Sequence, residues 1–249
     1  MTDDPVRFSR RHVLRLAMAL SVTAAGKAFA LRDVSGRMLL DVQLNGAGPF
    51  PFLLSTGIGQ SAVSAALVSR LGLTGSDAVS VASLECGALK LQDLRLAVAA
   101  SEDVGAADGL LGVEGMSSKK IDIDLQNGEA AILPTNTRTA PRGFRVVPAR
   151  QLPNGVFLVS TLVGKLPVEA IIDTGAIRTA GNRALQVALG GASVEPTSIT
   201  LARVELGQPY LEFREFAEGK PALRLGMDLL GFLNHLALDF RRIEFHFKP

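Results

Sequence analysis

One pattern is written twice along this chain, and it narrows the possible folds more than any other feature. Residues 38–44 form an extended apolar segment, then a Gly/Pro turn at 46–49, then Phe52-Leu53-Leu54-Ser55-Thr56-Gly57. Far downstream, residues 156–162 are again extended, 164–167 turn, and Ala170-Ile171-Ile172-Asp173-Thr174-Gly175 follows. The order continues in register. Leu84-Glu85-Cys86-Gly87 matches Val204-Glu205-Leu206-Gly207, and Gly109-Leu110-Leu111-Gly112 matches Leu223-Arg224-Leu225-Gly226. Ile121-Asp122-Ile123-Asp124-Leu125 matches Leu236-Ala237-Leu238-Asp239-Phe240. Apolar alternation broken by glycine turns predicts strands and hairpins. Helix is predicted only over 62–71 and 182–189, at the same place in each copy. The expected architecture is all-β, built as two similar halves with few short helices. The predicted boundaries are a leader over 1–30, a first lobe over 31–133, a linker over 134–153 rich in Thr, Arg and Pro, and a second lobe over 154–249.

Composition limits the chemistry. With 12 Phe, 1 Tyr and no Trp, the core has to be aliphatic. The single cysteine, Cys86, rules out an intramolecular disulfide and a cysteine-rich metal cluster. Three histidines without zinc spacing leave little for metal chemistry, so neither metal nor cofactor is expected. Beyond residue 30 the chain carries 21 basic and 22 acidic side chains, with no cationic excess to attract nucleic acid.

The leader has the order of an export signal. Ser9-Arg10-Arg11-His12-Val13-Leu14 resembles a twin-arginine motif, the apolar stretch 16–25 follows, and Ala28-Phe29-Ala30 has the small-residue form of a cleavage site. The apolar stretch is shorter than the roughly 20 residues that span a bilayer. A bacterial, periplasmic location is expected, with a mature chain from about Leu31, or with the signal kept as an anchor.

At Ile171-Ile172-Asp173-Thr174-Gly175-Ala176 the chain resembles the retropepsin-like and pepsin-like aspartic proteases. Leu225-Gly226-Met227-Asp228-Leu229-Leu230 and Asp108-Gly109-Leu110-Leu111-Gly112 extend the likeness, which covers roughly residues 36–248. The resemblance implies two β-rich lobes that each bring a Thr-Gly turn to a central cleft, with the threonine hydroxyls bracing the turns across it. In that family two adjacent carboxylates share one proton, one serving as base and the other as acid. Asp173, Thr174 and Gly175 match the catalytic turn. Ser55, Thr56 and Gly57 occupy the partner turn, with serine where the second aspartate belongs.

The implied activity is aspartic-type endopeptidase action on peptide or unfolded-protein substrates. The serine makes that activity weak, or dependent on a homodimer that brings Asp173 to its symmetry mate. The alternative is an inactive pseudo-protease that binds extended peptides in its cleft. Residues 84–91 stand at the flap position and are expected either to cover the cleft or to form a plain surface hairpin. Tyr210 lies in the matching hairpin of the second half.

Rival patterns are weaker. Gly57-Ile58-Gly59-Gln60-Ser61-Ala62 fits a dinucleotide-binding fingerprint, which requires a following helix and a parallel strand. No G-x-S-x-G elbow occurs. His235 and His246 are expected to be structural, and Asp122 and Asp124 to alternate on a half-exposed strand.

Overall fold

A computed structural model describes residues 28–29, 31–32, 36–135, 140–191, 197–216, 220 and 222–249. The leader before Ala28 lies outside the described residues. The first half runs β1 (Ala28–Phe29), β2 (Leu31–Arg32), β3 (Met38–Leu44), β4 (Ala47–Leu54), β5 (Ala62–Ser64), helix α1 (Ala65–Arg70), β6 (Ala78–Cys86), β7 (Leu89–Ala99), α2 (Ser101–Val104), β8 (Gly109–Leu111), β9 (Lys119–Asp124) and β10 (Glu129–Pro134). The second half runs β11 (Arg145–Gln151), β12 (Phe157–Val163), β13 (Leu166–Ile172), β14 (Ala180–Gly181), α3 (Arg183–Ala188), β15 (Ile199–Leu201), β16 (Val204–Gly207), β17 (Glu212–Phe213), β18 (Ala222–Leu225), α4 (Met227–Leu230), β19 (His235–Asp239) and β20 (Glu244–Lys248). The chain is all-β, with four short helices among the described residues.

In the first half, β3, β4, β8, β5, β7 and β6 pair in that order, and β6 closes back on β3 through Gln43–Glu85 and Leu44–Leu84. The barrel interior is mainly aliphatic, with Leu40, Val42, Leu54, Val63, Leu67 and Leu84 among its buried side chains, joined by the aromatic Phe52. In the second half β12, β13, β18 and β14 repeat the central part of this arrangement. β4 runs parallel to β8, and β13 runs parallel to β18. β5 and β14 then return antiparallel on those same partners.

The halves are joined by strands from both. β9 pairs antiparallel with β19, placing Ile121 opposite Leu238, Asp122 opposite Ala237 and Ile123 opposite Leu236. These are the two repeat-related segments, so the pairing exchanges equivalent positions about a local two-fold centred on Asp122 and Ala237. β10 and β20 flank them on either side. The division by sheet therefore differs from the predicted lobe boundary at 133, because β9 and β10 leave the barrel to join the second half's sheet.

The predicted linker also differs from what is found. Its residues 145–151 form β11, paired with β20 as far as Pro148 and with β12 from Ala149 onward. Pro148 has no N–H for a ladder bond and sits where the strand changes partner. β1 and β2 hold the matching place in the first half, pairing with β10 and β3 respectively.

The first helix starts three residues later than its apolar pattern predicts. Residues 62–64 are drawn into β5, between β8 and β7, and the Ser64 hydroxyl then caps α1 by accepting from Leu67 N at 3.1 Å. In the second half Asn182 caps α3 in the same manner, at 2.9 Å from Leu185 N.

Asp122, at the centre of the joint, contacts Lys120 Nζ at 2.9 Å and His235 Nε2 at 3.3 Å. Burial raises its carboxyl, but the adjacent His235 and Lys120 side chains outweigh this and hold it down at about 2. A carboxyl lowered on folding adds stability above its unfolded value near 4 and loses it as pH falls through the folded value. Asp122→Asn is expected to flatten the loss of stability between pH about 4 and 2. Urea unfolding at stepped pH measures it, and an unchanged slope would show that the contacts contribute nothing.

Candidate functional site

Two equivalent strand ends build the site. β4 ends at Leu54 and delivers Ser55-Thr56-Gly57, and β13 ends at Ile172 and delivers Asp173-Thr174-Gly175. Each turn is tied to its neighbouring strand in the same way. Ser55 N donates to Leu111 O and Asp173 N donates to Leu225 O, both at 3.0 Å.

The turns meet through their threonines. Thr56 Oγ1 donates to Ile172 O at 2.7 Å, and Thr174 Oγ1 donates to Leu54 O at 2.8 Å. Each hydroxyl also accepts from the opposite threonine's backbone, Thr174 N at 3.2 Å and Thr56 N at 3.3 Å. Both threonines are fully buried. The expected bracing across the cleft is therefore present as a reciprocal lattice.

The glycines permit the close approach. A Cβ on Gly57 would fall on the Asp173 carboxyl group, and a Cβ on Gly175 would fall on the Ser55 side chain. All six turn residues named from the sequence are thus brought together.

Asp173 is 3% exposed and Ser55 is 4% exposed. Asp173 Oδ1 accepts from Ser55 Oγ at 2.9 Å, from Gly175 N at 2.9 Å and from Gly57 N at 3.3 Å. Its other oxygen, Oδ2, lies 3.8 Å from Arg224 Nε. The floor of the site is one carboxylate, one hydroxyl and two backbone N–H groups, with a guanidinium beside them.

Sequence reasoning missed a second set of equivalent polar bonds that follows the turns in each half. Thr179 donates to the Asp228 carboxylate from its backbone at 2.8 Å and from its hydroxyl at 2.7 Å, and that hydroxyl accepts from Gly226 N. Ser61 N donates to Glu114 at 2.8 Å, and the Ser61 hydroxyl accepts from Gly112 N. Ser61 and Thr179 stand at the same distance after Ser55 and Asp173, and Glu114 and Asp228 at the same distance after Gly112 and Gly226. That shared spacing was the available signal.

A cleft of about 670 Å³ opens over these turns. The first half lines it with Leu53, Ile58 and Leu110, and the second with Ile177, Phe216 and Arg224. Arg37 reaches across from the first half and donates to Gly175 O at 3.4 Å.

The hairpin over 84–91 does not cover this cleft. Its tip docks on the joint instead, with Ala88 N donating to Ile132 O at 3.0 Å and Gly87 packed in a left-handed conformation against the same carbonyl. Tyr210 is 76% exposed and takes no part in the lining. The dinucleotide pattern at 57–62 runs into β5 rather than a helix, so no helix terminus receives a phosphate there. His246 is buried beside Glu244, and Asp124 closes a turn by accepting from Gln126 N and Asn127 N.

No protein-family model matches the chain, and no curated protein matches it.

Two outcomes follow from this geometry. Thr174→Val removes one buried hydroxyl bond and leaves Thr56 N without its acceptor, a loss expected to cost about 1–3 kcal/mol. Denaturant unfolding checks it, with Thr174→Ser expected near wild type. In the docked hairpin, burial pushes the Cys86 thiol up to about 12, and the Asp41 charge adds to the effect. The folded protein is expected to resist alkylation at pH 8 and to react once unfolded. Rapid labelling without denaturant would show that the hairpin is not docked.

Proposed function

We propose that this protein has the bilobal aspartic-protease fold and receives an extended peptide in its cleft, over Asp173 as the single surviving carboxylate. The duplicated strand order, the two Thr-Gly turns and their reciprocal bonds support the fold assignment. The observation that carries the functional reading is the 2.9 Å hydrogen bond from Ser55 Oγ to Asp173 Oδ1. The hydroxyl stands where the partner acid would be and donates a hydrogen bond to Asp173, keeping its own proton.

Peptide hydrolysis by an aspartic pair needs one group to activate water and another to protonate the substrate carbonyl. Near neutral pH a serine hydroxyl performs neither carboxyl role. A missing general acid or base typically lowers the rate by about 10²–10⁴. The reading is therefore aspartic-endopeptidase-type peptide recognition, with slow cleavage or none, in a protein exported to the periplasm. A homodimer that joined two Asp173 residues would first have to break all four threonine bonds between the halves. The geometry favours binding within one chain.

The test uses the full chain, an unstructured protein substrate and pH values from acid to neutral, alongside Asp173→Asn and Ser55→Asp. Little cleavage by wild type, a gain of about 100-fold or more in Ser55→Asp, and extended-peptide binding by both are expected. Absence of peptide binding together with no gain in Ser55→Asp would sink the proposal.

A further inference from the structure

Besides Ser55 and Asp173, the two halves of the cleft differ at a further register position. In the first half Leu53 on β4 stands beside Leu110 on β8. At the equivalent place in the second half, Ile171 on β13 stands beside Arg224 on β18. The cleft is thus lined at related positions by an aliphatic side chain and by a guanidinium.

Arg224 is held in place but incompletely matched. Its guanidinium carbon lies 5.0 Å from the centre of the Phe216 ring, a cation–π contact. Its Nε is shut off from solvent and donates no hydrogen bond among the described residues. The Asp173 Oδ2 atom, at 3.8 Å, is beyond hydrogen-bond reach. By contrast, Arg178 and Arg214 in the same cleft share a carboxylate partner, reaching Glu212 at 3.4 Å and 2.7 Å.

The buried Nε is out of a ligand's reach, but the Arg224 side chain as a whole is 32% exposed and lines the cleft, where a ligand can meet it. The acceptor whose geometry best fits a planar guanidinium is a carboxylate. The Asp173 charge is already partly met by the three donors on Oδ1.

We infer that Arg224 is the specificity-determining residue of the cleft and selects peptides with an aspartate or glutamate side chain at the subsite it lines. Leu53 and Leu110 take an apolar side chain at the related subsite of the other half. The inference rests on the peptide-binding reading of the cleft and deepens it by naming the substrate class. It also gives the cleft a direction. Matched halves present the same groups to a chain entering from either end, whereas an acidic residue on one side and an apolar one on the other fix the sense in which the peptide lies.

The test is fluorescence anisotropy with the full chain and labelled ten-residue peptides of extended character. Each position is varied in turn through Glu, Gln, Leu and Lys. At one position Glu is expected to bind roughly tenfold or more tightly than Gln, as a charge-assisted bond outweighs a neutral one. Arg224→Leu should abolish that preference, and Arg224→Lys should retain part of it. Circular dichroism and thermal unfolding establish that both variants are folded, and the lysine variant keeps the test open if the leucine variant is not. Peptide binding by wild type without a Glu preference overturns the inference, as does a preference that survives in Arg224→Leu. Failure of every peptide to bind wild type overturns the cleft reading itself, and this inference with it.

Discussion

The reciprocal bonds between Thr56 and Thr174 are the constraint around which the rest of the molecule is organised. Each hydroxyl spans the boundary to a carbonyl at the end of the other half's strand. Neither turn can move without unmaking a buried polar contact, and such contacts are costly to leave unmade. The strand ends at Leu54 and Ile172 are fixed by this, and so are the positions of Ser55 and Asp173. The glycines follow from the same demand, because any side chain at Gly57 or Gly175 would occupy space already filled by the opposite turn.

Support for the turns is duplicated in geometry but varied in chemistry. One half uses Ser61 with Glu114 and the other uses Thr179 with Asp228. The longer carboxylate accompanies the smaller hydroxyl residue. In both, the acid receives the backbone N–H of the hydroxyl residue itself, while the hydroxyl receives the N–H of the glycine that follows the neighbouring strand. The substitution at Ser55 is of another kind. It leaves this scaffold in place and changes only the group at the floor of the cleft.

The duplicated order and the all-β class were legible because they depend on local patterns, apolar runs that end in small residues at one shared offset, whereas the meeting of the two Thr-Gly turns was implied only by the family resemblance. The partners of those turns were harder to see, since Ser61 and Glu114 differ in identity from Thr179 and Asp228. β11 was hidden by Pro148 and by flanking arginines, which resemble linker composition. The three-residue β5 was read as helix because Ala62-Val63-Ser64 adjoins a good helix-forming run, and only pairing with β7 and β8 draws it into the sheet. The docking of the 84–91 hairpin depends on Ile132, a residue far away in sequence. The placement of Arg224 against Phe216 and Asp173 is likewise tertiary.

The two-fold exchange in the β9–β19 pair has a consequence for how this chain tolerates change. A contact in which equivalent positions swap partners is isologous, the kind that joins two identical subunits. Here both participants belong to one polypeptide, so their association is intramolecular and favoured by a high effective concentration. Tethering of this kind removes the requirement that both copies of a surface stay the same. Once linked, the halves are free to diverge in places that a symmetric pair of separate chains would have to alter twice. Ser55 opposite Asp173, and Leu110 opposite Arg224, are single changes that a covalent dimer can carry on one side alone.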